Sequence, residues 1–229
     1  MPESRRTPRQ LAREETLQRI KDLALAQLAD ASAGELSLRA IARELDVVSS
    51  AVYRYFASRD DLLTALIVDA YGDLADHLEA AADHASDRRA AWTAKALALR
   101  AWARAAPHRF ALVYGSTIPG YRAPETTIAP AGRVVLALAA VLPGGTEPRP
   151  DPAPSPDGTP ADLTGQLALT AAALGIALSE DDLLWLVGAF ARVVGALTLE
   201  LGGHFVGGFE PADELYAALV EEEAARREW

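Results

Sequence analysis

The residues with the most chemistry to offer lie close together: Ser49, Ser50, Tyr53, Arg54 and Tyr55, inside the stretch LRAIARELDVVSSAVYRYF at 38–56. Hydroxyls, phenols and a guanidinium with no neighbouring base do not make a nucleophilic centre. They are hydrogen-bonding groups suited to phosphates and base edges. Catalytic alternatives lack their parts. The chain has no Cys, hence no thiolate nucleophile, disulfide or Cys-based zinc site. It has no Gly-x-Ser-x-Gly and no phosphate-binding Gly-Lys loop. The four His show no spacing for a metal, so no enzyme activity, metal or cofactor is expected.

Positioning such groups takes a compact helical corner. Where two helices meet at a tight turn, the crossing residue must be small, the turn residue must accept left-handed backbone angles, and inward positions must interlock. Ala42, Asp46 and Val52 occupy those places. A first helix is predicted from about Arg9 to Asp30, on Leu11, Leu17, Ile20, Leu23, Ala24 and Leu28, and ASAGEL breaks it at Gly34. Ser37 stands as N-cap before Leu38, Ile41, Ala42 and Leu45, which share one face. A third helix covers Ser49 to Tyr55 with Val52 and Phe56 inward, and Ser58 caps a longer one whose Asp60 and Asp61 suit its positive end. The outer face of the third helix is then free to enter a major groove. Ser49, Ser50 and Ala51 allow close approach to base edges there, and Tyr53, Arg54 and Tyr55 reach phosphates or bases. Two bland readings stand beside this one: an architectural corner, and a solvated Arg54.

The net charge of −10 argues against a nonspecific polyanion binder, yet the charges are unevenly distributed. Residues 1–60 hold ten Lys or Arg against nine Asp or Glu, while 61–229 hold twelve against twenty-three, so the acidity lies outside the corner. Arg5, Arg6, Arg9 and Arg13, against Glu3 alone, make a basic N-terminal arm or a solubilising tail. Half the residues are hydrophobic, and the pattern is helical nearly throughout, so an all-α protein is predicted. Later helices are expected near 59–84, 87–105, 107–114, 126–141, 162–174, 180–201 and 211–226. The 143–160 segment holds seven of fourteen prolines and reads as loop or linker. No apolar stretch reaches membrane-spanning length free of a charge or helix breaker, and the N-terminus lacks a signal peptide's apolar core, so a cytoplasmic protein is expected.

Across residues 9–63, and above all in LSLRAIARELDVVSSAVYRYFASRDDLLTAL, the chain resembles the DNA-binding domain of the TetR family of transcriptional regulators. The resemblance implies a three-helix helix-turn-helix domain at 1–58 and a larger helical effector-binding and dimerisation domain at 59–229. It implies that Ser37 and Arg39 lie where the second helix meets the DNA backbone, that Ser49, Ser50, Ala51 and Tyr55 face the groove, and that Tyr53 and Arg59 hold phosphates. Three departures stand out. The usual turn Gly is Asp46. The Ser that commonly starts the recognition helix is Val48, which passes capping to Ser49. The usual Lys is Arg59, which keeps the charge and changes the hydrogen-bond geometry.

PHRFALVYGSTIPGYRAPE and LELGGHF resemble a WHG-type C-terminal effector-binding and dimerisation domain within this family. In 183–201, Leu183, Leu186, Val187, Phe190, Val194, Leu197 and Leu201 form one stripe, with Gly188, Ala191, Gly195 and Ala196 elsewhere around the helix. A helix so broadly apolar wants partners on several sides. Packing within one subunit could satisfy it, while the resemblance implies a homodimer through the helices near 180–201 and 211–226. Trp92, Trp102, Phe110, Tyr114, Tyr121 and Trp185 could line an effector cavity or be ordinary core. The expected protein is thus a regulator, a repressor binding double-stranded operator DNA and released by a small-molecule effector. The alternative is a helical small-molecule-binding or protein-interaction module without operator binding.

Overall fold

A computed structural model of the chain describes residues 7–30, 36–147 and 162–229. Arg5 and Arg6 of the basic arm, Gly34, and most of the Pro-rich segment lie outside the described residues. Within them the protein is helical and has no strand. The ten α-helices are α1 (Pro8–Asp30), α2 (Leu38–Glu44), α3 (Ser49–Tyr53), α4 (Arg59–Ala80), α5 (Arg88–Ala105), α6 (Pro107–Tyr114), α7 (Ile128–Ala139), α8 (Leu163–Leu174), α9 (Glu180–Leu201) and α10 (Asp213–Ala225).

Helix α1 starts a residue before the periodicity suggested, because Thr7 and Gln10 form a capping box. The Gln10 backbone N–H donates to Thr7 Oγ1 at 3.3 Å, and the Thr7 N–H donates to Gln10 Oε1 at 2.8 Å. Pro8 then sits at the first helical position, where its missing N–H costs nothing. Ser37 caps α2 by accepting from the Ala40 N–H, and Ser58 caps α4 by accepting from the Asp61 N–H. Between α2 and α3, the Asp46 N–H donates to the Arg43 carbonyl and the Val47 N–H to the Ala42 carbonyl, with Asp46 at φ 55°. This is a Schellman turn, with Asp46 in the left-handed position that usually takes Gly. Ala42 and Val52 are buried as the tight crossing requires.

Two expectations fail at α3. The helix ends at Tyr53, so Arg54 and Tyr55 lie beyond its regular part. Capping does not pass to Ser49, which is already helical. Val48 is the N-cap residue and makes no side-chain cap hydrogen bond.

By packing, the chain forms two compact units, residues 1–70 with 108–127, and 71–107 with 128–229. In the first, Ile20, Ala24, Leu38, Ile41, Val52, Phe56, Leu62, Leu63 and Leu66 form the core. Leu112, Ile118 and Tyr121 pack against it, and the Tyr121 hydroxyl lies 2.9 Å from Thr64 Oγ1. Amphipathic periodicity shows that a face is buried and not which core buries it, so 108–127 read as part of the later domain.

In the second unit, α9 turns Leu183, Leu186, Ala189, Val193, Ala196 and Leu197 inward and leaves Leu184, Val187 and Leu199 exposed. The inward stripe is therefore rotated from the one read in sequence, and Val187 lies outside it. By length and apolarity alone α9 could cross a membrane. It carries Arg192, however, whose guanidinium pairs with Glu222 and the buried Glu223 of α10. Helix α9 also ends in a Schellman turn, with Gly203 at φ 74° and the His204 N–H donating to the Leu199 carbonyl.

The part of α4 that belongs to this unit is held by side chains from two other helices. Trp102 Nε1 of α5 donates to Asp73 Oδ2 at 2.8 Å, and the buried Lys95 Nζ donates to the Leu78 carbonyl at 2.7 Å. Burial pushes the Lys95 ammonium below its usual range. Arg133 of α7 reaches Asp76 at 2.6 Å and also pairs with Glu79.

Candidate nucleic-acid interface

Five residues cannot make a stable helix alone, so α3 exists because Val52, at 1% exposure, and the following Phe56 anchor it to the core. That anchoring decides which side chains are left for a partner. Ser50, Tyr53 and Arg54 are exposed, whereas Ser49 and Ala51 are half-buried. Tyr55 is also half-buried. It packs against the core, and the Arg13 guanidinium of α1 lies 5.1 Å from its ring centroid. Of the sequence-derived groove residues, Tyr55 is thus the one most committed to holding the corner together.

Around α3 the backbone-contact candidates occupy separate elements. Arg39 is exposed on α2, and Ser37, half-buried, spends an acceptor site of its hydroxyl on the α2 cap while its N–H donates to Gln27 Oε1 at 3.1 Å. Arg59, at the first turn of α4, has its Nη1 3.1 Å from Asp60 Oδ1. Arg9 and Arg13 of the basic arm are exposed on α1. A short helix standing proud of a three-helix core, with arginines on the flanking elements, is the geometry of a helix-turn-helix reader of duplex DNA.

Comparison with known proteins agrees with that geometry. Residues 92–222 match the tetracyclin repressor-like C-terminal domains, and residues 20–66 match the bacterial regulatory proteins of the tetR family. HTH-type transcriptional regulators of Mycobacterium tuberculosis and Mycobacterium bovis are each 42% identical over 211 residues, spanning 85% of this chain and 84% of theirs. The chain belongs to the TetR family. Among solved structures, this TetR-family protein is similar to the regulatory protein SCO4313, with a TM-score of 0.73, 33% identity, and 95% of this chain and 98% of the other covered. The TetR-family regulator PfmR of Thermus thermophilus shares the fold, with a TM-score of 0.56 at 17% identity, over 89% of this chain and 97% of the other. The protein is a DNA-binding transcriptional regulator of this family, with the helix-turn-helix at its N-terminal end.

The six aromatic candidates for an effector site divide equally between the compact units. Phe110, Tyr114 and Tyr121 belong to the first, where Phe110 is buried with its ring 5.5 Å from that of Tyr114. Trp92, Trp102 and Trp185 belong to the second. Trp92 is fully buried and donates to the Val220 carbonyl at 2.9 Å. Trp102 is spent on Asp73, and Trp185 donates to the Glu223 carbonyl at 3.2 Å with its ring 5.1 Å from Trp92. Each indole N–H thus has a protein acceptor, which gives the three tryptophans a packing role.

The same unit holds an open cavity of about 460 Å³ beside Trp185, lined by Arg192, Arg226 and Arg227 together with Asp181 and Glu223. Another of about 350 Å³ lies beside Arg100, Arg104, Phe205 and Phe209. Arg100 holds Glu200 through two hydrogen bonds of 2.9 and 2.8 Å and Asp213 through one of 2.9 Å. The Arg100 hydrogen bond keeps the Asp213 carboxyl below the usual carboxylate range. This second cavity was not found by sequence reasoning. Its signal was the Gly-bracketed GGHFVGGFE at 202–210, whose apolar side chains have no helical face to bury.

Proposed function

We propose that this protein is a homodimeric repressor, acting in the cytoplasm, that a small-molecule effector releases from a two-fold-related operator. Ser50 and the half-buried Ser49 and Ala51 would approach the major groove, with Ser37, Arg39, Tyr53 and Arg59 against phosphates. Specific affinity from so short a reading helix needs two heads on half-sites related by the dimer's symmetry. Dimer formation is supported by the outer face of α9, where Leu184 and Val187 are exposed and a Cβ added at Gly188 or Gly195 would meet nothing within 4 Å. Small residues beside exposed apolar ones suit a second helix laid against α9, completing a four-helix interface with α10.

The observation that carries the regulatory reading is α4 itself. Its residues through Ala70 belong to the unit that holds the helix-turn-helix, and those from Tyr71 to the other unit. Because Trp102, Lys95 and Arg133 hold the later part, a ligand that rearranges α5 and α7 would bear on α4 and on the separation of the two α3 helices. The ligand must favour the released arrangement energetically for anything to shift. The experiment is selection of bound duplexes from random sequence, followed by affinity measurement with and without candidate effectors. Release at saturating ligand supports the reading. A ligand that binds tightly and leaves DNA affinity unchanged refutes the coupling.

A further inference from the structure

We propose that Val48 contacts a thymine methyl group in the major groove, which makes it a specificity-determining residue of each half-site. The inference rests on the operator-binding reading and assigns a chemical preference to one position within it. Val48 is 69% exposed, the most exposed of the large hydrophobic side chains described. It occupies the N-cap of α3, where it makes no side-chain cap hydrogen bond. A Ser, Thr, Asp or Asn there would satisfy an N–H of the first turn, and a β-branched apolar residue is among the poorest choices. Its burial within the subunit does not account for the valine. Helices that enter a major groove contact base edges chiefly with the residues of their N-terminal end. Of the four bases, only thymine presents an apolar group in that groove, its C5-methyl, and apolar side chains recognise it by excluding water. Ser49 and Ser50 follow directly, so one methyl-seeking group is set beside hydroxyls able to read polar edges.

The test uses the full chain and a duplex enriched by selection, with each thymine replaced in turn by deoxyuridine, which deletes the methyl and keeps every hydrogen bond. For the native protein, one thymine per half-site should cost about fourfold in affinity when its methyl is removed, and roughly fifteenfold when both half-sites are changed. Val48→Ser should be indifferent to that methyl while keeping the native response at other thymines. Serine supplies a cap, so the variant's circular dichroism and thermal midpoint should match or exceed those of the native protein. If no thymine methyl matters, or if Val48→Ser pays the same penalty at every position, the inference is overturned. Transfer of the effect to Val47→Ser, at the neighbouring residue with 43% exposure, overturns it equally. A selection that enriches no duplex would bring down the operator reading and this inference together, whereas enrichment without methyl sensitivity brings down only the inference.

Discussion

Tyr53 and Arg59 differ from Ser50 in what their loss should do. A phosphate contact is indifferent to sequence, so Tyr53→Ala or Arg59→Ala should weaken all duplexes by a similar factor. Arg59→Ala should also flatten the dependence of log affinity on log salt by about 0.9 for each phosphate released. Ser50→Ala should instead change which bases are preferred, and repeated selection with each variant separates the two classes. A second residue-scale prediction concerns Asp213. Its carboxyl is held below the ordinary 3.8 chiefly by the hydrogen bond from Arg100. A depressed folded value stabilises the fold when the carboxylate is charged, so the contribution is full above 3.8 and is lost as pH falls through the depressed value. Thermal midpoints followed downward from neutral pH should therefore fall less steeply for Asp213→Asn than for the native chain.

The turn between α2 and α3 depends on one residue in an unfavourable backbone region. Asp46 at φ 55° tolerates it because its short polar side chain does, while alanine there costs about 1 kcal/mol and glycine little. Chemical denaturation should show Asp46→Ala destabilised by roughly that amount and Asp46→Gly near native, since glycine's relief in the turn is offset by its freedom in the unfolded chain. Equal stability of the two variants would mean that the left-handed turn is not formed. The corner was legible in sequence because each of its demands falls on a distinct residue type: Ser37 and Ser58 as caps, Ala42 at the crossing, Val52 inward. The end of α3 was not. Whether Arg54 and Tyr55 continue the helix is decided by Phe56 seeking the core and by Arg13 lying over Tyr55, and neither is a local property.

At the scale of the whole molecule, Gly188 gives the proposed dimer its sharpest test. A Cβ there meets nothing within 4 Å in the subunit, so Gly188→Leu should leave the fold intact and raise helix propensity by somewhat under 1 kcal/mol. The added bulk would nonetheless hold a second α9 away. If the proposed dimer forms, sedimentation should show paired subunits for the native chain and single subunits for the variant at the same concentration, with operator affinity falling in parallel. A variant that stays paired and binds DNA normally places the interface elsewhere.

Residue types and their spacing were enough to determine the all-helical class, most helix boundaries to within a few residues, the tight corner and its family. Caps, left-handed positions and 3.6-residue periodicity act between near neighbours in the chain, which is why they can be read there. The tertiary structure alone decided that 108–127 packs with the N-terminal helices, that α9 turns Val187 outward, and that the indole N–H groups of Trp92, Trp102 and Trp185 are spent on acceptors far along the chain. It also left Val48 uncapped and in water. A periodic pattern states that some face is covered, and only three-dimensional packing specifies what covers it and which apolar groups remain for a partner.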